Sequence, residues 1–345
     1  MIQNKGGHMM KYPLLKEDIT IGVTAPSSGV PVELHDLLKT ACMRMENKGY
    51  KVVCGETAWT QDKAKSAPAI KRAEEFNNMM SNDEIDIIIP PWGGELLIEI
   101  LEYIDFSNIQ TKWILGYSDV SLLLLAMTLT TGIATAHGTN LVDLRGEYSD
   151  DTTAMWQSVL SLKKGESILQ HSSNQYQKEW QFDNPTPYVF NFTEKTKWQT
   201  TSDHRVNIQG RLLGGCIDTI RHLIGTKFGN VQSFQETHIQ GESIVWFFEN
   251  CELSTTDLRR SLVQMKLAGW FTNCSGMMFR RSAANTSVGN YTIEDVYQEL
   301  SKELQIPIIY DMDCGHVPPQ ITLINGAYAE IVSYNGKGTI YQHFI

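Results

Sequence analysis

The chain has 345 residues, 42% hydrophobic and 20% charged, with a formal net charge of -10. That length suits two domains and that composition a globular protein. The acidic balance, with no cluster of Lys and Arg, argues against a nucleic-acid backbone as partner, because phosphate contacts need clustered cations.

The opening MIQNKGGHMMKYPL is polar and glycine-containing and is set aside from the fold expectation. From residue 19 to about 140, apolar strand-like runs at 19–25, 51–54, 85–90, 112–116 and 133–136 alternate with helical stretches at 32–48, 64–80, 95–103 and 120–130. Strand then helix, repeated, predicts right-handed crossovers and a parallel sheet with helices on both faces. Ligands of such sheets collect beyond the carboxyl ends of the strands. Those ends read Ala25-Pro26-Ser27-Ser28-Gly29, Pro91-Trp92-Gly93-Gly94-Glu95, Gly116-Tyr117-Ser118-Asp119 and His137-Gly138-Thr139-Asn140.

Between about 151 and 207 the chain turns rich in Asn, Gln, Thr and aromatics, with Pro185 and Pro187 breaking regular structure. It reads as a connection carrying a long loop, and Tyr176, Trp180, Tyr188 and Trp198 argue against plain disorder. From 208 onward the spacing predicts a helix over 217–224, a strand over 243–248 and a helix over 256–268. Strands at 276–279 and 306–310 and a terminal hairpin across Asn335-Gly336 follow. The expected organisation is an α/β chain: a first domain over 11–165, a linker with an aromatic loop over 166–207, and a smaller mixed α/β domain over 208–345.

No apolar run is long enough to span a bilayer and no signal peptide opens the chain, so the expected address is cytoplasmic, with no membrane partner. Six cysteines, Cys42, Cys54, Cys216, Cys251, Cys274 and Cys314, form no C-x-x-C pair, and neither a zinc site nor a disulfide framework is indicated. No G-x-G-x-x-G or Walker pattern supports a dinucleotide or phosphate loop, and no cofactor is expected.

Chemistry is expected at Ser118, where a strand meets a helix. Such a turn lifts a hydroxyl out of the sheet and sets it beside the unpaired N–H groups of a helix start. An ordinary helix cap is the plainer alternative. Acyl transfer at serine also needs a base, a group to orient the base, and donors for the oxyanion. His316 stands between Gly315 and Val317-Pro318-Pro319, flanks that fix a side chain. Glu249 ends the most apolar strand of the second half, where a carboxylate must be paired or solvated in a cleft. A surface histidine and a strand-end salt bridge are the alternatives. Oxyanion donors are expected from the backbone N–H groups of Asp119 and Gly94, next to Gly93, where missing Cβ atoms let the backbone approach a carbonyl. A non-enzymatic ligand binder stays open on such a scaffold. A cysteine enzyme through Cys216 or Cys314 has little support, since neither has an evident base.

Pro91-Trp92-Gly93-Gly94, Gly116-Tyr117-Ser118-Asp119, His137-Gly138, Gly210-Arg211-Leu212-Leu213-Gly214-Gly215, Phe248-Glu249-Asn250 and Gly315-His316-Val317-Pro318-Pro319 come in an order and spacing that resemble the LD-carboxypeptidase family. That family includes muropeptide L,D-carboxypeptidases and microcin C self-immunity peptidases. The resemblance implies a Ser118–Glu249–His316 triad, a Rossmann-like, doubly wound first domain carrying the serine, and a second domain carrying acid and base. It also implies a metal-free mechanism and a homodimer. Trp92 before the Gly-Gly, Thr139 after His137-Gly138 and Cys216-Ile217 after Gly214-Gly215 depart from the family's usual residues and bear on the substrate pocket. The aromatic segment is similar to an insertion of the self-immunity branch in which tryptophans stack on a nucleobase. Trp92, Gly93, Trp180 and Trp198 are the substrate-binding residues expected on this basis, although the tryptophans of the loop equally suit packing or a dimer contact. The expected substrate is a small peptide or peptidyl-nucleotide of microcin C type, with a muramoyl tetrapeptide as the alternative.

Overall fold

Most apolar runs of the first half form strands buried on both faces, as a sheet covered by helices on each side requires, whereas the run at 51–54 forms a partly exposed edge strand. The computed structural model describes residues 9–180, 186–202 and 204–345. In chain order the first part holds β1 (Thr20–Val23), α1 (His35–Asn47), β2 (Lys51–Cys54), α2 (Ala69–Ser81), β3 (Ile87–Ile88), β4 (Trp113–Gly116), α3 (Val120–Thr131), β5 (Thr135–His137) and α4 (Asp151–Leu160). Next come β6 (Ser167–His171), β7 (Gln175–Tyr176), β8 (Glu194–Lys195), β9 (Gln199–Thr200), β10 (Val206–Cys216), α5 (Ile217–Ile220) and α6 (Val231–Thr237). The rest is β11 (Ile244–Glu249), α7 (Thr255–Leu267), β12 (Cys274–Arg280), α8 (Ile293–Leu304), β13 (Ile308–Met312), β14 (Leu323–Asn325), β15 (Tyr328–Tyr334) and β16 (Lys337–His343).

The first sheet runs β14-β5-β4-β3-β1-β2, and the strands from β5 to β2 are parallel. The second runs β6-β16-β15-β10-β11-β12-β13-β9, with a parallel centre, β10 to β13, and antiparallel flanks. α3 lies between them, in contact with β4 and β5 on one side and β10 and α5 on the other. That position explains its sequence: ten of its twelve residues are buried, so it is apolar all round rather than amphipathic. Gly132, in the left-handed conformation, ends it.

Several expectations are corrected. The stretch 95–103 winds as a 3-10 helix, Leu97–Tyr103, rather than an α-helix. The segment 166–207 is more than a linker, since β6 and β9 form the two edges of the second sheet. Leu323–Asn325 pairs with β5 of the first sheet, so the C-terminal part of the chain completes the N-terminal sheet. β10, unforeseen, is eleven residues long and carries Gly210, Gly214 and Gly215, whose lack of side chains hides the strand pattern. α4 and α8 were also unforeseen, although Asp150 and Thr292 cap them, the latter in a reciprocal box with Asp295. Met10 and Tyr12, set aside at the chain start, are buried; Tyr12 stacks on Phe344 at 4.5 Å. Pro185 lies outside the described residues.

Candidate active site

The carboxyl end of β4 in the first sheet and those of β11 and β12 in the second converge on one site. β4 delivers Ser118; β11 ends at Glu249, β12 ends at Arg280, and the turn after β13 delivers His316. Ser118 adopts a φ of 65°, in the left-handed region, between β4 and α3. A serine held there is strained, and the neighbouring packing must hold it. Its carbonyl accepts from Ser121 N at 2.9 Å, closing the first turn of α3. Asp119 sits at the helix cap but makes no side-chain cap; its Oδ2 accepts from Ser27 Oγ at 2.5 Å and from Leu97 N at 2.9 Å. Burial pushes this carboxyl up to about 6, against those hydrogen bonds.

Ser118 Oγ lies 3.0 Å from His316 Nε2, and His316 Nδ1 is hydrogen-bonded to Glu249 Oε1. The same oxygen accepts from His316 N at 3.1 Å and is ion-paired with Arg280 Nη1 at 2.6 Å, the guanidinium donating to Cys314 O at 2.8 Å. Glu249 is fully buried. Burial works to raise its pKa, but the Arg280 guanidinium and then His316 outweigh it and hold the carboxyl at about 2. Burial works to lower His316, and Glu249, aided by Cys251, reverses that and raises the imidazole above its ordinary 6.5. His137 lies 3.7 Å from Glu249 Oε2, but burial lowers it to about 4, so it stands neutral and forms no ion pair.

Two glycines make this geometry possible. A Cβ on Gly93 would fall 2.6 Å from Ser118 Cβ and 2.7 Å from its Oγ. Gly315, with a φ of 77°, passes so close to Arg280 Nη1 and Glu249 that a side chain would displace both. Behind it, Asp313 accepts from Ser173 N at 2.9 Å, Ser173 Oγ at 2.8 Å, Trp198 Nε1 at 2.9 Å and the Arg281 guanidinium, which anchors the turn that carries His316.

A cleft of about 450 Å³ opens onto Ser118 and His316, lined also by Trp92, Gly93, Gly94 and Gln61. Trp92 Nε1 donates to Gly29 O at 3.1 Å, which sets the indole along the wall. Ser28 N holds the Gly93 carbonyl at 3.2 Å, and a trans peptide then turns the Gly94 N–H to the opposite side. Trp180 Nε1 donates to His316 O at 3.2 Å, so the indole rests on the histidine turn. Trp198 is the correction: it is buried at 1% exposure in the core of the second domain, among residues such as Val245, Phe247 and Met278. It reaches the site from behind, through Asp313. Trp198→Ala is therefore expected to destabilise the fold by about 3–5 kcal/mol in urea melts, with equal effects on turnover of different substrates. A larger cleft, about 1320 Å³, lies between α4 and the aromatic loop and does not contain Ser118.

The LD-carboxypeptidase N-terminal domain matches residues 21–138 and the LD-carboxypeptidase C-terminal domain residues 209–331. The chain belongs to the LD-carboxypeptidase family. By that membership it is a serine carboxypeptidase. A putative carboxypeptidase of Vibrio cholerae is 26% identical over 315 residues, 87% of this chain and 88% of the relative. The microcin C7 self-immunity protein MccF of Escherichia coli is 23% identical over 354 residues, 98% of both chains. The solved structure of MccF in complex with glutamyl sulfamoyl guanosine superposes with a TM-score of 0.81 at 22% identity, covering 97% of this chain and 99% of that one. A muramoyltetrapeptide carboxypeptidase from Oxalobacter formigenes gives a TM-score of 0.72 at 18% identity, over 94% and 98%. These likenesses establish the two-domain α/β fold of the family member described here.

Tyr117 and His137 lie in the strand-end turns where a ligand is expected, whereas Arg280 and Asp143 are not among the expected site residues. Tyr117 Oη donates to Asp143 Oδ2 at 2.9 Å, and its ring meets His316 edge-on at 5.0 Å. Arg280 carries a signal in the sequence, an arginine closing the apolar run Met277-Met278-Phe279, where burial demands a carboxylate partner.

Proposed function

We propose that the protein hydrolyses an amide bond through Ser118 as nucleophile, His316 as base and Glu249 as the group that orients His316. The observation that carries this reading is the continuous chain from Ser118 Oγ to His316 Nε2 and from His316 Nδ1 to the buried Glu249, at the floor of a cleft. The imidazole takes the serine proton as Oγ attacks the carbonyl and returns it to the leaving nitrogen; it then takes a proton from water, which attacks the acyl ester, and returns it to Oγ as the acid product leaves. The N–H groups of Asp119 and Gly94 are assigned to the oxyanion. Glu249 remains ionised, because Arg280 holds its charge.

The substrate class we assign is a peptidyl-nucleotide of the type bound by MccF. Among the described residues lining the Ser118 cleft there is no Lys or Arg, so no fixed cation awaits the terminal carboxylate of a muropeptide. Trp92 offers an aromatic wall there, and Trp180 stands at the histidine turn; aromatic faces take any nucleobase. The six cysteines are unpaired, which suits a reducing, cytoplasmic address. The family reading also carries a homodimer, to be measured by light scattering. The deciding experiment compares kcat/KM on an aminoacyl-sulfamoyl nucleoside and on a muramoyl tetrapeptide. Faster turnover of the nucleoside is expected, falling more on that substrate than on the tetrapeptide in Trp180→Ala; the reverse preference assigns cell-wall peptide.

His316 must be neutral to accept a proton. Glu249 raises it, while Arg280 and burial oppose, with Tyr117, Asp143, His137 and Cys251 packed around. The kcat/KM profile is therefore expected to climb with pH through a midpoint above 6.5 and to be low in acid, where the imidazolium is paired with Glu249. A midpoint below 6.5 contradicts the pairing.

A further inference from the structure

The nitrogen of His316 that faces Ser118 also faces a thiol. Cys251 Sγ lies 3.7 Å from His316 Nε2, and the ligand atoms of Glu249, Cys251 and His316 fall within 4.8 Å of one another. We infer that Cys251 Sγ and His316 Nε2 form an inhibitory site for a thiophilic divalent cation of the zinc class, closed by Ser118 Oγ or water.

The spacing fits the ion. Tetrahedral zinc, with Zn–S of about 2.3 Å and Zn–N of about 2.05 Å, sets sulfur and nitrogen about 3.6 Å apart. The pair here stands at 3.7 Å. Glu249, on Nδ1, supplies the outer carboxylate that metal-bound histidines usually have, fixing the ring and raising the basicity of Nε2. Its other oxygen, Oε2, is buried without a hydrogen-bond partner, 3.7 Å from His137 Nε2. Asp218 Oδ2 accepts from Cys251 N at 2.8 Å and Asp218 Oδ1 from Glu252 N at 2.9 Å, which fixes the backbone that carries the thiol. The His316 side chain is 32% exposed, and the Ser118 cleft gives an ion its route in.

Binding releases the thiol proton and occupies the lone pair that would otherwise accept the proton of Ser118. The inhibitory role rests on the reading of Ser118 and His316 given above, whereas the metal site itself is tested separately. Zinc chloride is expected to inhibit hydrolysis by the metal-free protein, reversibly on adding a chelator. Cys251→Ser, its inhibition scaled to its own zinc-free rate because Cys251 also contacts His316 Nε2, is expected to need at least about tenfold more zinc for half-inhibition. Cobalt chloride is expected to give a thiolate-to-metal charge-transfer band in the wild type and in Ser118→Ala, lost in Cys251→Ser and displaced by zinc. Equal zinc sensitivity of wild type and Cys251→Ser, or a cobalt spectrum independent of Cys251, overturns the inference. A Cys251-dependent band in a protein without hydrolase activity upholds the metal site and removes the proposed activity; hydrolysis without such a band removes the site alone.

Discussion

Ser118→Ala is expected to lower kcat by on the order of a thousand-fold or more, with KM and melting temperature nearly unchanged. Alanine carries the same Cβ as serine, so the φ of 65° and the contact with Gly93 are no harder to hold. Only Oγ is removed, and with it the atom 3.0 Å from His316 Nε2. The oxyanion donors and the cleft remain, which leaves substrate binding intact and a small residual rate. Single-turnover kinetics with a nucleoside and a tetrapeptide substrate, beside a thermal melt, give the result. Turnover within tenfold of wild type on either substrate removes Ser118 as nucleophile.

Glu249→Gln combines two losses of different kind. Catalysis is expected to fall by about 10³–10⁴-fold, because the amide no longer fixes the tautomer and orientation of His316. Stability is expected to fall by about 3–5 kcal/mol, because Arg280 is left as a buried charge without its carboxylate. The double variant Glu249→Gln/Arg280→Met separates them: it is expected to recover most of the stability and none of the activity. Urea melts and kcat measured side by side give both quantities. Recovery of activity in the double variant contradicts the orienting role.

Much of this arrangement is legible in the chain. The turn at Ser118 shows itself because an apolar strand, a G-x-S turn and an apolar helix follow one another within 113–130, and each is set by local sequence. Glu249 shows itself as a carboxylate after Ile244-Val245-Trp246-Phe247-Phe248, since such a charge demands a partner. Trp198 misleads for a physical reason: a tryptophan in a polar loop segment carries no local sign of whether its ring meets a ligand or a core. The register of β9 on β13 and the bond to Asp313 place it inside. The glycine-rich β10 and the return of β14 to the first sheet also leave little local pattern, because both depend on pairing with distant strands.

By itself the sequence determined the alternation of strands and helices in the first half, the turn at Ser118, and the residue types that acyl transfer requires. Those are local properties, fixed by periodicity and by the backbone preferences of neighbouring residues. Only the tertiary structure decided that Arg280 holds the charge of Glu249, that Cys251 stands against His316, and that Trp198 faces inward. Each of these joins residues from different strands or turns, and a contact across the sheet depends on register and packing that no single stretch of chain encodes.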